Sequence, residues 1–103
     1  MKDLIPQAII KKPIKYFSKT FGIWLITCYD DLDNYKGAVL DLPDGTEYAL
    51  RQYKGHSEDT TTIYLSFEIQ NIEEITKKIR EILQIYDLTE ADLEWERKNN
   101  PDL

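Results

Sequence analysis

The chain has 103 residues, 42% hydrophobic and 31% charged, and 19 acidic against 13 basic side chains give a formal net charge of −6. That length holds one core and not two, and the acidic balance opposes non-specific attraction to nucleic acid or anionic membranes. The single cysteine, Cys28, excludes an intrachain disulfide, and no apolar run nears the roughly 20 residues of a membrane helix, so an untargeted cytoplasmic protein is expected.

Residues 1–15 mix Leu4, Ile5, Ile9, Ile10 and Ile14 with Pro6 and Pro13, and two prolines so close together forbid one continuous helix. An extended, basic arm is expected there. Residues 1–20 hold five lysines against one aspartate, which leaves the acidic excess in the remainder and makes the molecule a dipole. Phe21 to Tyr29 is apolar at nearly every position and rich in β-branched and aromatic side chains, the pattern of a strand covered on both faces. It is the candidate central strand, with Trp24 and Cys28 as core residues.

Polar turn-formers from Asp30 to Asn34 interrupt the pattern, and Gly37 to Leu42 resumes it. In Leu42-Pro43-Asp44-Gly45-Thr46, proline and aspartate suit a type I turn and Gly45 suits a left-handed bulge position, so a hairpin is expected. A three-residue loop pairs Leu42 with Thr46, Leu40 with Tyr48 and Ala38 with Leu50, which collects apolar side chains on one face. After a polar loop from Lys54 to Asp59, residues 62–69 alternate, with Ile63, Leu65, Phe67 and Ile69 on the core side.

Near Asn71 the spacing changes from two to three and four. Asn71 is an N-cap with Glu74 three residues on, and Ile72, Ile75, Ile79, Ile82, Leu83 and Tyr86 form one helical stripe. Glu73 with Lys77 and Glu74 with Lys78 add pairs in the favourable order. Thr89 with Asp92 repeats the capping pattern and predicts a second helix that ends near Lys98, before Asn99-Asn100-Pro101.

The expected fold is thus α+β in one domain, residues 1–103. An antiparallel sheet of about four strands, a meander with a central hairpin, occupies residues 16–70 and is packed on one face by the first of two helices within 71–98. Residues 1–15 are the arm and 99–103 a tail.

Four groups of residues carry candidate chemistry. Lys54, His56, Ser57, Glu58 and Asp59 supply a base, a hydroxyl and carboxylates, but neighbours in one loop do not converge as a nucleophile and base must. Asp30, Asp31, Asp33 and Asn34 offer hard oxygen ligands, yet Tyr35 breaks the calcium-loop pattern. Asp41 and Glu47 face each other across the hairpin without a pocket to desolvate either. The lysines of residues 11–19 interleave with Tyr16 and Phe17 as in single-strand nucleic-acid surfaces, but the acidic remainder argues against that partner. No metal or cofactor is expected.

The hairpin register instead places Val39, Ala49, Arg51, Tyr53 and Tyr64 together on the face turned from the core. Tyrosine and arginine are enriched where proteins meet. Trp95, on the polar second helix near the C-terminus, is either an anchor onto the sheet edge or a further interface residue. The sequence therefore points to a non-catalytic interaction module or accessory subunit, homodimeric or bound to another protein, unless the N-terminal arm covers that face. Two alternatives remain open: an antitoxin- or immunity-type acidic inhibitor of a basic protein, and a small-ligand binder or enzyme built on the Lys54–Asp59 loop.

Overall fold

The structure, a computed structural model, describes residues 4–29, 34–53 and 58–99. In chain order its elements are β1 (Leu4–Ile10), α1 (Ile14–Phe21), β2 (Ile26–Tyr29), β3 (Asn34–Asp41), β4 (Glu47–Tyr53), β5 (Thr61–Ser66), α2 (Ile72–Ile85), one 3₁₀ turn over Glu90–Asp92, and β6 (Leu93–Glu96). Neighbouring strands are all antiparallel, in the order β2-β3-β4-β5-β1-β6.

The central hairpin forms as its turn chemistry requires. Gly45 takes φ 89°, a value that only glycine adopts freely, and the Leu42 amide donates to the Thr46 carbonyl at 2.8 Å. Leu40 then pairs with Tyr48, Ala38 with Leu50 and Asp41 with Glu47. The register agrees with the apolar pattern, so Tyr48 and Leu50 enter the core with Ile63 and Leu65 of β5.

Asn71 caps α2: its side-chain oxygen accepts from the Glu73 and Glu74 amides at 2.9 and 3.3 Å. The helix buries Ile75, Ile79, Ile82 and Leu83. Each such burial stabilises by about 1.5–3 kcal/mol, far more than the few tenths of an exposed i,i+4 pair. Lys78, expected beside Glu74, still feels the charge of that carboxylate but directs its hydrogen bond elsewhere. Its stem is buried and its ammonium pairs with Asp44 in the β3–β4 turn, which ties the helix to the hairpin tip.

The N-terminal segment departs from the expected arm. Residues 4–10 form an interior strand between β5 and β6, with Ala8 and Ile10 fully buried. Pro6 is tolerated there because β6 pairs only with Ala8–Ile10, and because the register with β5 shifts between Pro6 and Ala8. A residue without an amide proton fits at such a place. Beyond Pro13, residues 14–21 are helical: Ile14 and Phe17 are buried, Phe21 packs against the core, and the Ile14 amide is capped by Gln52 Oε1 at 3.2 Å. Gly22, at φ 69°, ends α1.

The apolar run 21–29 is consequently not a central strand. Its first residue closes α1, and only Ile26–Tyr29 pair, as the edge strand β2. Phe21, Ile23 and Leu25 lean on the core while Trp24 is 84% exposed and Cys28 is half-buried at that edge. Phe67 also differs from expectation: β5 stops at Ser66, whose hydroxyl and carbonyl accept from the Glu68 and Ile69 amides, and the turn leaves Phe67 40% exposed.

The second helix reduces to its first turn. Thr89 and Asp92 form the reciprocal capping box, but the chain then extends as β6. An unpaired β1 edge is available beside it, and Leu-Glu-Trp-Glu alternates well enough to take it: Ile10 faces Leu93, Ile9 faces Trp95 and Ala8 faces Glu96. Six strands rather than about four result. Arg80 of α2 secures the addition, donating from Nη2 to Glu96 at 3.1 Å and from Nε to Glu90 at 2.8 Å.

Candidate functional site

Both helices lie on one face of the sheet. Ile14 and Phe17 of α1 belong to the same apolar cluster as the α2 isoleucines, and Phe17 meets Tyr86 edge-on at 4.9 Å between ring centres. Tyr16 Oη donates to the Tyr86 carbonyl at 2.7 Å, which fixes α1 against the end of α2. The opposite face of the sheet carries neither helix.

Strand alternation fixes what that open face presents. Facing pairs in the register are Tyr35 with Tyr53, Gly37 with Arg51, Val39 with Ala49 and Asp41 with Glu47. On the other side of β4, Ala49 faces Tyr64 and Arg51 faces Thr62. Further across, Thr62 faces Ile9, and Ile9 faces Trp95. These pairs place Val39, Ala49, Arg51, Tyr53, Tyr64 and Trp95 on one surface. Residues 4–10 do not lie over them, because they are themselves a strand of the sheet.

Exposure varies along this surface. Val39 is 56% and Trp95 41% exposed, whereas Ala49 and Tyr53 are buried between their neighbours. Arg51 is half-buried and occupies the centre. Its guanidinium carbon stands 4.6 Å from the Tyr35 ring centre and 4.5 Å from that of Tyr64, while Nη1 donates to Tyr53 Oη at 3.4 Å. Cation–π attraction on two sides, about 0.5–2 kcal/mol each, holds a long side chain in one place. Tyr53 in turn packs on Tyr35 at 5.0 Å.

Gly37 makes room for this arrangement. A Cβ there would stand 2.4 Å from the Leu50 carbonyl oxygen and 3.2 Å from Arg51 Cγ. The strand opposite Arg51 must therefore be bare. Beside the guanidinium a depression of about 250 Å³ is lined by Ile9, Arg51, Tyr53, Thr62 and Glu94, among others.

Arg51 has no carboxylate partner among the described residues, and neither Asp41 nor Glu47 has a cationic one there. A charge fixed by aromatic rings, with its donor edges not committed to an acid, can take a carboxylate from another surface. Among the described residues no three His, Cys, Asp or Glu side chains converge as metal ligands. Asp30, Asp31 and Asp33, and the Lys54–Ser57 part of the loop with His56, lie outside the described residues.

Two members of the surface are not evident from the sequence pattern. Tyr35 falls two residues before Gly37 and four before Val39, so alternation places it once β3 begins at Asn34. Ile9 lies in a proline-interrupted stretch, and nothing within residues 1–15 shows that a partner strand arrives from residue 93. No protein-family model matches the chain, and no curated protein or solved structure matches it either.

Proposed function

We propose that this chain is a small non-catalytic protein-interaction module, acting in the cytoplasm, that binds protein through the open face of its sheet. The observation that carries this reading is Arg51, held between the Tyr35 and Tyr64 rings on a face that neither helix covers and that also exposes Val39 and Trp95. Buried arginine and tyrosine anchors dominate binding energy at protein interfaces, and a side chain already fixed by stacking loses little further entropy on association. A reducing compartment suits a chain whose one thiol has no partner.

Association assays on the purified full chain test the reading. Binding of the wild-type protein, whether to itself or to another protein, is expected to be lost in Tyr64→Glu and kept in Glu81→Lys, which alters α2 on the other side of the molecule. Circular dichroism confirms that both variants fold. Association that survives Tyr64→Glu, or a chain that associates with nothing, removes the proposal.

A further inference from the structure

We infer that the occupant of the open face is a second copy of this chain, packed sheet against sheet about a twofold axis that runs along the Val39–Ala49–Tyr64 row. This rests on the reading of that face as an interaction surface and adds the partner's identity.

The argument is one of rows. Antiparallel register arranges the face in four bands crossing the strands. The first holds Asp41 and Glu47, the second Val39, Ala49 and Tyr64, the third Arg51, Thr62, Ile9 and Trp95, and the fourth Tyr35 and Tyr53. A twofold axis lying in the sheet plane along the second band sets the first band of each copy over the third band of the other. Arg51 of each copy then meets the acidic Asp41–Glu47 pair of its mate, and the contact occurs twice, as an isologous interface requires.

The unpaired charges fit this arrangement. Asp41 faces Glu47 directly, and two like charges in register oppose each other. Neither they nor Arg51 is ion-paired among the described residues, although each lies on the same face. Self-stacking supplies each with its opposite. Central Val39, more than half exposed, meets its own copy at the axis and becomes covered.

Area is consistent with a stable pair. Six strands at roughly 4.8 Å spacing and about six residues at roughly 3.3 Å give a projected patch of roughly 570 Å², which with side-chain relief approaches the roughly 800 Å² per partner of a standard interface. Stacked sheets with near-aligned strands are a common packing. The net charge of −6 on each copy is a long-range repulsion, and at physiological salt it is screened beyond about 8 Å, so the facing contacts decide.

Sedimentation velocity on the purified chain over a concentration series, up to millimolar, tests the inference. The wild type is expected to reach twice the 12.2 kDa of one chain. Arg51→Glu and Glu47→Arg are each expected to raise the dissociation constant at least about tenfold, since each sets like charges together twice. An equimolar mixture of the two variants is expected to dimerise again, because both contacts between positions 47 and 51 in the mixed pair join opposite charges. Val39→Lys, at an exposed position that leaves folding intact, places two lysines on the axis and is expected to dissociate the pair. A wild type that stays monomeric overturns the second-copy inference while leaving the broader reading to its own assay, where a different protein can still bind and be lost in Tyr64→Glu. A dimer that persists in Val39→Lys, or single variants whose mixture remains monomeric, overturns the inference as well.

Discussion

At the scale of single residues, the core contains one polar pair whose worth can be measured. Tyr48 and Tyr86 are almost fully buried and their hydroxyls stand 2.6 Å apart. Burial pushes both phenols up from their usual range, with the shared hydrogen bond adding to the rise at Tyr48 and opposing it at Tyr86. Both therefore stay neutral through the physiological range, and one donates to the other. Replacing either alone strands a buried hydroxyl, which costs about 1–3 kcal/mol, whereas removing both hydroxyls strands none. Tyr48→Phe and Tyr86→Phe are each expected to destabilise by that amount in urea unfolding, and the double variant by clearly less than the two together. Additive losses would show that the hydroxyls are not coupled.

At the scale of elements, β6 is held by a charged clamp as well as by its ladder. Arg80 bonds Glu96 through both terminal nitrogens, and Glu96 is itself buried at the sheet edge. That hydrogen bonding, ahead of the burial that opposes it, holds the Glu96 carboxyl below its ordinary value of 4.5. The folded chain thus binds this proton less readily than the unfolded chain. The clamp's stability is fully present above about pH 4.5 and is lost as pH falls through the lower folded value. Glu96→Gln is expected to cost about 1–3 kcal/mol at neutral pH and to make stability fall less steeply below pH 4.5. Parallel denaturation curves at pH 7 and pH 3 for both proteins check it, and an unchanged acid slope would assign that loss to other carboxylates.

Elements determined locally are legible in the sequence, and those decided by a distant partner are not. The β3–β4 hairpin and α2 are written locally: Pro43, Asp44 and Gly45 dictate the turn, and Asn71 with its isoleucine stripe dictates the helix. Their registers follow without reference to anything distant. For β6, Thr89 and Asp92 encode the cap that was read, but helix and strand are nearly balanced over Leu93–Glu96. What decides between them is the unpaired side of Ile9 and Ile10, some 85 residues away. Helix α1 was hidden for a related reason, since Ile14, Phe17 and Phe21 have helical spacing but straddle the boundary between a lysine-rich stretch and an apolar one. On the open face, Arg51 and Tyr64 are readable from the hairpin register, while Ile9 and Trp95 join them only because β1 pairs with β6.

At the scale of the whole molecule, that meeting decides how the protein holds together. The first strand pairs with β5 along its length and with β6 at its end, so the sheet closes only when residues near both ends of the described chain are in place. Such pairings span most of the sequence, and contacts of that separation slow folding because loop closure precedes the gain they bring. They also make β1 part of the core. Ala8 and Ile10 are fully buried in the cluster that holds both helices, and the Gln7 carbonyl accepts from the Arg97 amide at 3.0 Å beyond β6. A detachable basic arm and an interior strand predict opposite outcomes for its removal. Loss of the arm would leave the unfolding curve in place. Deleting residues 1–10 from an interior strand strips the pairing partner from both β5 and β6 and uncovers the apolar cluster, a loss comparable to the whole stability of about 5–15 kcal/mol that a domain possesses. Urea unfolding followed by circular dichroism is therefore expected to show no cooperative transition in the shortened chain. A wild-type midpoint would mean that β5 and the helices form a core without β1.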